Sequence, residues 1–217
     1  MSRQIACINM IKQQLRTSDI LNDTILDLYK TIPRDAFVPE QFKHFAYSDM
    51  QIDLGHQQKM MTPVEEAKLL QSLALKGHET VLEVGTGSGF LTAMLSRLCQ
   101  KVISVDYFAE FTMNAKRKLA EQQCTNVELL TGDAARGWLD KAPYDIVVFT
   151  GAVFEITETH KLQVLPGGKL FIIVGSAPVM PALLLSQKED GIWEEELVFE
   201  TYLPPLINKL KPKEFVF

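Results

Sequence analysis

The stretch that decides the fold is "VLEVGTGSGF", residues 81–90, in which an apolar run ends in three glycines within five positions. The apolar run predicts a buried strand, and the apolar residues after the glycines predict a helix. Glycine at a strand-to-helix turn permits positive φ and lets a ligand approach the main chain. The stretch therefore predicts a ligand-binding turn at the carboxyl edge of an α/β sheet.

Further apolar runs follow this turn and alternate with segments of helical potential. The five predicted strands are "TVLEVG", "KVISVD", "NVELLTG", "YDIVVFTG" and "GKLFIIVG", and each of the first four leads into a predicted helix. Continuous apolar runs are typical of parallel strands that are covered on both faces. The pattern predicts a doubly wound, Rossmann-like α/β sheet, followed by a C-terminal β-hairpin around residues 189–191.

Before residue 76, apolar residues recur at helical spacing instead. In the first predicted helix, four residues share one face: Ile5, Ile8, Ile11 and Leu15. A second helix is predicted over residues 20–32, and a third begins after Thr62, with Pro63 at its first position and two glutamates in its first turn. We expect residues 1–75 to form a helical cap with a substrate loop, packed as one unit with a sheet domain over residues 76–217.

Composition excludes several classes of protein. The chain has 217 residues, 47% of them hydrophobic, which is typical of a globular protein, and its net charge of −5 without a basic block argues against a nucleic-acid partner. No apolar run reaches the roughly 20 residues of a membrane span, and the N-terminus does not resemble a signal peptide. Three cysteines without a CxxC pair and four scattered histidines predict no metal site. We expect a cytoplasmic protein that binds no membrane.

The spacing of the glycines distinguishes between two nucleotide ligands. Dinucleotide sites favour G-x-G-x-x-G, whereas Gly85, Gly87 and Gly89 alternate here and Phe90 takes the place of a third glycine. Glu83 precedes the first glycine by two residues, where it would repel a pyrophosphate but suit a cationic amino group. S-adenosyl-L-methionine carries an amino group and a sulfonium. The pattern E-x-G-x-G-x-G resembles the cofactor motif of class I methyltransferases.

Later strand ends supply the other expected cofactor contacts. Asp106 follows Gly85 by 21 positions, about where a ribose-binding acid belongs. Asp133 could accept a hydrogen bond from the adenine amino group, and Thr150 ends the fourth strand beside the site. The predicted cofactor-binding residues are Glu83, Gly85, Thr86, Gly87, Ser88, Gly89, Asp106, Tyr107, Gly132, Asp133, Ala134 and Thr150.

Six segments in order resemble the protein-L-isoaspartate O-methyltransferase family, from about residue 32 to residue 175. They are "PRDAFVP", "AYSDMQIDLGHQQ", "VLEVGTGSGFLTAMLS", "NVELLTGDAARGW", "YDIVVFTGA" and "LPGGKLFIIVG". The second is the most specific, because general methyltransferases do not share it. The resemblance implies methylation of the α-carboxylate of isoaspartyl residues in damaged proteins or peptides, with S-adenosyl-L-methionine as donor. The ester then cyclises to a succinimide and reopens partly to aspartate.

The chain departs from the family pattern shortly after Gly55. In the family, a Thr-Ile-Ser stretch, one residue and then proline follow, and the hydroxyls line the substrate pocket. Aligning Gly55 and Pro63 without a gap puts Lys59, Met60 and Met61 in those three places. A carboxylate acceptor needs no general base, because it is already ionised at neutral pH. The missing hydroxyl is therefore a loss of alignment and of a hydrogen bond worth about 1.5–3 kcal/mol.

The acceptor side thus remains open. The aligned catalytic positions are Lys59, Met61 and Thr62; Lys59 could attract a carboxylate, and Thr62 could supply a hydroxyl if the loop register shifts. Other candidate substrate contacts are Asp53, Leu54, His56 and Gly151. Three hypotheses follow. The first is isoaspartyl repair, and the second is methylation of a different carboxylate or an unidentified small molecule. The third is a cofactor-binding module without turnover.

Overall fold

The computed structural model describes residues 2–188 and 191–207 of the chain. The cap contains helices α1 (Arg3–Met10), α2 (Asp23–Thr31) and α3 (Pro63–Leu73), and a small hairpin of strands β1 (Ile52–Gly55) and β2 (Gln58–Met60). π-helical and 3₁₀ turns continue α1 over Ile11–Leu15 and Arg16–Ser18, and further 3₁₀ turns cover Arg34–Ala36 and Glu40–Phe45. Thr62 caps α3 in a capping box with Glu65, as the sequence predicts.

The buried face of the first helix differs from the predicted one. Ile5 and Ile8 are 51% and 44% exposed, so their assignment to the packed face is wrong. Cys7 and Met10 are buried instead, because a thiol and a thioether pack as hydrophobic groups. The Cys7 thiol also donates a hydrogen bond to the Tyr29 carbonyl at 3.1 Å. Counting isoleucine and leucine alone therefore misplaces the face by part of a turn.

The sheet has seven strands and confirms the predicted α/β architecture. Its strands are β3 (Thr80–Val84), β4 (Lys101–Asp106), β5 (Val127–Thr131), β6 (Tyr144–Val153), β7 (Val164–Val174), β8 (Met180–Gln187) and β9 (Trp193–Thr201). They lie in the order β5-β4-β3-β6-β7-β8-β9. The five strands from β3 to β7 are parallel, and β8 and β9 form the predicted antiparallel hairpin. Its turn residues 189–190 lie outside the described residues.

Helices α4 (Phe90–Ser96), α5 (Ala109–Glu121) and α6 (Glu158–Leu162) follow β3, β4 and β6. The prediction of a helix after β5 is wrong, since the connection from β5 to β6 contains only a 3₁₀ turn over Leu139–Lys141. Two glycines and a proline interrupt it, and Gly137 has a φ of +97°. The turn that opens "GTGSGF" lies between β3 and β4, beside β6, at the point where the strand order reverses. Ligands of open α/β sheets bind at such a point.

Apolar cores lie on both faces of the sheet. Val81 belongs to the larger core, which also contains residues of the cap and of helices α3 to α5, whereas Leu82 and Val84 belong to the smaller one. Glu83 shares the face of Val81, because successive side chains of a strand alternate. That face is the one that the cap covers. Within the described part of the chain, none of the helices has the length and apolarity to cross a membrane.

Candidate active site

The glycine turn is held against the end of β6. Gly85 and Gly87 have φ values of +102° and +51°, which an L side chain rarely adopts. A Cβ on Gly85 would overlap the hydroxyl oxygen of Thr150. That hydroxyl lies 3.0 Å from the Val84 carbonyl and 2.7 Å from the Gly85 carbonyl. Glycine is thus needed at position 85, because a side chain there would displace the Thr150 hydroxyl through which β6 contacts the turn.

Glu83 lies beneath the turn with its side chain wholly buried. Its Oε2 accepts hydrogen bonds from Thr92 Oγ1 at 2.5 Å and from Ser104 Oγ at 2.6 Å. Its Oε1 is also buried but has no hydrogen-bond partner among the described residues. Burial raises the pKa of Glu83 to about 7, although the two hydroxyl bonds oppose the shift. A buried carboxylate oxygen without a donor costs free energy, so a cationic donor in the adjacent space would stabilise it.

A cavity adjoins Glu83, between the glycine turn and the cap. The sheet side of the cavity consists of Glu83 and the turn, including Thr86, Gly87 and Ser88. The cap side consists of apolar groups and one acid: Leu54, Met60, Met61 and Glu66. This cavity can therefore hold a small cationic group against Glu83 and present an apolar wall opposite it.

A second, larger cleft of about 570 Å³ lies at the ends of β4, β5 and β6. Asp106 lines it, and its Oδ2 and Oδ1 accept hydrogen bonds from the N–H groups of Gly87 (2.8 Å) and Phe108 (2.9 Å). Burial raises the pKa of Asp106, whereas these backbone bonds lower it. Asp133 also lines the cleft, and its Oδ1 accepts from the Ala135 N–H at 3.0 Å. Each carboxylate oxygen can accept further bonds, such as those from ribose or adenine.

The cavity and the cleft adjoin, since several residues line both. These shared residues are Leu54, Lys59, Gly85, Gly87 and Thr150. One extended ligand can therefore place an amino group at Glu83 and a nucleoside at Asp106 and Asp133. This donor set fits S-adenosyl-L-methionine, because an ammonium would supply the donor that the buried Oε1 of Glu83 does not find among the described residues.

A buried ion pair fixes the loop on the acceptor side. Arg34 is wholly buried and donates from Nε to Glu66 Oε2 at 3.1 Å. Its Nη1 donates to the Ala46 carbonyl at 2.8 Å, and its Nη2 donates to the Met61 carbonyl at 2.5 Å. Burial raises the pKa of Glu66 to about 7, although Arg34 opposes the shift. The arginine thus connects three parts of the cap: the segment at Ala46, the residue that follows β2, and helix α3.

Nearly all of the predicted cofactor residues line the cavity or the cleft. They are Glu83, Gly85, Thr86, Gly87, Ser88, Asp106, Tyr107, Gly132, Asp133, Ala134 and Thr150. Gly89 lines neither of them. A Cβ there would lie 2.9 Å from the Cβ of Ala115, so this glycine lets the turn pack closely on α5.

The predicted acceptor residues divide into two groups. Lys59, Met61, Leu54 and Gly151 line the cavity or the cleft. Thr62 does not line them, and its hydroxyl accepts from the Glu65 N–H at 3.2 Å as the cap of α3. Asp53 and His56 line an outer groove instead. The His56 ring stacks on Phe108 at 4.2 Å, and its Nε2 lies 3.0 Å from Glu110 Oε2.

Sequence reasoning missed three features of the site. Ser104 and Thr92 support Glu83, and a polar residue inside each of the apolar runs "KVISVD" and "FLTAML" is a signal that could have revealed them. Leu206 lines the cleft, where its N–H donates to the Ala152 carbonyl at 2.9 Å, but no local pattern indicates this contact. The Arg34–Glu66 pair joins residues that are 32 positions apart and has no local signal either.

A Rossmann-like sheet with a glycine turn, a buried acid beneath it and a second acid at the end of the next strand defines a class I, S-adenosyl-L-methionine-dependent methyltransferase. Comparison with known proteins narrows this class. The family model described as protein-L-isoaspartate(D-aspartate) O-methyltransferase matches residues 7–211, and the chain belongs to this family.

Individual relatives agree with the family assignment. The protein-L-isoaspartate O-methyltransferase of Pseudomonas aeruginosa is 34% identical over 197 residues, which are 90% of this chain and 93% of that protein. The protein-L-isoaspartate O-methyltransferase 1 of an Anaeromyxobacter species is 38% identical over 175 residues, which are 80% and 82% of the two chains. The chain is thus an enzyme, an S-adenosyl-L-methionine-dependent methyltransferase.

Solved structures share the fold. One protein-L-isoaspartate O-methyltransferase superposes with a TM-score of 0.78 and 25% identity, covering 96% of this chain and 67% of that one. A Plasmodium falciparum structure in complex with S-adenosyl-L-homocysteine has a TM-score of 0.76 at 15% identity, over 95% and 98% of the two chains. The second likeness concerns the fold alone.

Proposed function

We propose that this protein methylates the α-carboxylate of isoaspartyl residues in proteins or peptides. The observation that carries the proposal is that the cavity beside Glu83 adjoins the cleft lined by Asp106 and Asp133, and that residues of the β1–β2 hairpin line both. An acceptor that enters under the hairpin meets the region between these two ligand-holding parts. Membership of the family supports the isoaspartyl group as that acceptor.

The residues of this chain would act by binding and positioning. When bound, S-adenosyl-L-methionine supplies an electrophilic methyl group on a sulfonium. Glu83 would hold its amino group, Asp106 its ribose and Asp133 its adenine. The acceptor carboxylate is ionised at neutral pH and needs no residue to remove a proton. Catalysis then rests on alignment of the two groups and on exclusion of water by the cap.

The methionines of the loop favour one further candidate. Met60 and Met61 are 4% and 5% exposed and form part of the cap wall, and Met61 takes the place of the serine in the family pattern. The Thr62 hydroxyl is occupied as a helix cap and does not replace that of the serine. An apolar, adaptable wall would also accept a small carboxylate that carries an apolar group. Methylation of such a compound is therefore the second candidate function.

Paired peptides that differ only in the linkage at one aspartate test the proposal. With labelled S-adenosyl-L-methionine, we expect a base-labile methyl ester on the isoaspartyl peptide and none on the aspartyl peptide. Calorimetry with S-adenosyl-L-homocysteine provides a measure of cofactor binding that does not depend on the acceptor. Cofactor binding together with background turnover of both peptides would reject repair, and labelling of a small carboxylate would then support the second candidate.

A further inference from the structure

Among the charged side chains that line the two spaces in which the reaction would occur, acidic ones outnumber basic ones. Asp106 and Asp133 line the cleft, and Glu66 and Glu83 line the adjoining cavity. The Glu66 charge is offset by Arg34, but Arg34 is wholly buried and lines neither space. Like charges repel strongly where water is partly excluded. The amino group of the bound cofactor would offset Glu83, but the described residues that line the cleft with Asp106 and Asp133 include no cation other than Lys59. A cation of the protein would therefore favour the entry of an acceptor that is itself a carboxylate.

Lys59 is the one lysine or arginine that lines either space in the described part of the chain. It lies on β2 and lines the cleft, the cavity and also the outer groove between the hairpin and residues 202–207. A carboxylate that enters from the groove would thus meet Lys59 before it reaches the region beside Glu83.

The ammonium of Lys59 has no salt-bridge partner among the described residues. Asp53 is its cross-strand neighbour, but Asp53 Oδ1 accepts from the Gly55 N–H at 2.8 Å instead. Lys59 Nζ lies 5.8 Å from the centre of the Tyr202 ring, a distance typical of a weak cation–π contact. This contact places the ammonium beside Tyr202 in the groove, where no carboxylate of the described residues pairs with it.

We propose that Lys59 binds the acceptor carboxylate, in place of the hydroxyls that the family pattern has in this loop. The inference rests on the proposed function and names the residue that recognises its substrate. An ammonium offers three N–H donors and a compact charge, so it can hold a carboxylate in more than one orientation. Lys59 accepts no proton in this role, since the acceptor arrives ionised.

Three variants separate this role from that of an ordinary surface lysine. Lys59→Met keeps an unbranched side chain that is one atom shorter and removes the charge, and Lys59→Arg keeps the charge. Lys12→Met is the matched control, because Lys12 is an exposed lysine that lines neither space. We expect Lys59→Met to raise the KM for an isoaspartyl peptide about tenfold or more, with a smaller change in kcat. Lys59→Arg should retain most of the activity, and Lys12→Met all of it.

Salt supplies a readout that a structural role would not move. The KM of the wild-type enzyme should rise with ionic strength, and that of Lys59→Met should respond much less. Affinity for S-adenosyl-L-homocysteine should be the same in all four proteins. If the wild-type enzyme methylates the peptide and Lys59→Met has the same KM and salt response, the inference is overturned while the proposed function stands.

Binding of a fluorescent isoaspartyl peptide to the protein loaded with S-adenosyl-L-homocysteine covers the remaining outcomes. If the wild-type protein binds the peptide without methylating it, repair is rejected, and loss of binding in Lys59→Met alone still supports the inference. If the wild-type protein neither binds nor methylates the peptide, both proposals are overturned.

Discussion

At the scale of single residues, Glu83 combines burial, two hydroxyl donors and one carboxylate oxygen to which no described residue donates a hydrogen bond. The donors from Thr92 and Ser104 fix the orientation of the carboxylate, and the free oxygen is the one on which a ligand can act. Burial disfavours the ionised form in the absence of a cation and thereby raises the pKa of Glu83 to about 7. Strongly shifted groups of this kind cluster at functional sites.

Cofactor affinity should therefore depend on pH through Glu83. Below pH 7 the carboxyl is mostly protonated and offers no charge to an ammonium, so affinity for S-adenosyl-L-homocysteine should rise as pH increases through 7, with release of a proton. Calorimetry at pH 6 and pH 8, in buffers of different ionisation enthalpy, measures both effects.

Glu83→Gln supplies the control, since it preserves the shape of the side chain and cannot ionise. It should weaken binding at pH 8 about tenfold or more and abolish most of the pH dependence. An affinity of the wild-type enzyme that stays constant between pH 6 and pH 8 would contradict this assignment of the amino-group site.

Most of the cofactor side could be predicted from the sequence, because its residues lie in short segments at strand ends. Glu83 lies one residue before the end of β3, Asp106 ends β4 and Asp133 follows β5 by two residues. Gly89, which lines neither the cavity nor the cleft, shows where such a prediction reaches its limit. A glycine needed for close helix packing and one needed for a ligand look the same in a sequence, and only the position of Ala115 distinguishes them.

At the scale of elements, some parts of the fold are specified by local sequence and others by contacts between distant residues. Helix α3 was predictable, since Thr62, Pro63 and Glu65 form its start within four residues. The β1–β2 hairpin was not, because its position depends on Arg34, which binds the carbonyl of Met61 from 27 positions away. The position of the β1–β2 hairpin is thus determined by tertiary contacts more than by its own sequence.

Breaking the Arg34–Glu66 pair should destabilise the fold. Arg34→Met leaves a buried carboxylate and two carbonyls without their donor, and such a loss typically costs about 3–5 kcal/mol. The double variant Arg34→Met with Glu66→Met should recover part of this, because no uncompensated charge is left. Urea unfolding followed by circular dichroism gives the free energies.

The matched control for this pair is Glu121→Ala, which breaks the ion pair with Arg117. Those side chains are 53% and 66% exposed, so the expected loss is about 1 kcal/mol or less. An Arg34→Met protein as stable as Glu121→Ala would show that the buried pair does not hold the loop to the cap.

At the scale of the whole molecule, the cap and the sheet share one core. Leu26 and Phe37 of the cap belong to the same buried apolar cluster as Val81 and Phe171 of the sheet. Residues of both the cap and the sheet also line the cavity beside Glu83. The sequence indicated a helical region before residue 76 and a strand–helix region after it. The packing between the two regions depends on which helix faces are buried. The prediction for Ile5 and Ile8 shows that a small error in helical phase assigns the wrong face.

The shared core predicts that the cap and the sheet unfold as one cooperative unit. Trp138 and Trp193 both lie in the sheet domain, so tryptophan fluorescence follows that part, and amide hydrogen exchange of α2 follows the cap. Both probes should give the same free energy of unfolding. A concentration of S-adenosyl-L-homocysteine one hundred times its Kd should raise both by about 2.7 kcal/mol, since the ligand binds only the folded protein. Amides of α2 could instead exchange through an opening of lower free energy that the ligand does not suppress. The cap would then be a separate unit and could not be the part that closes the site.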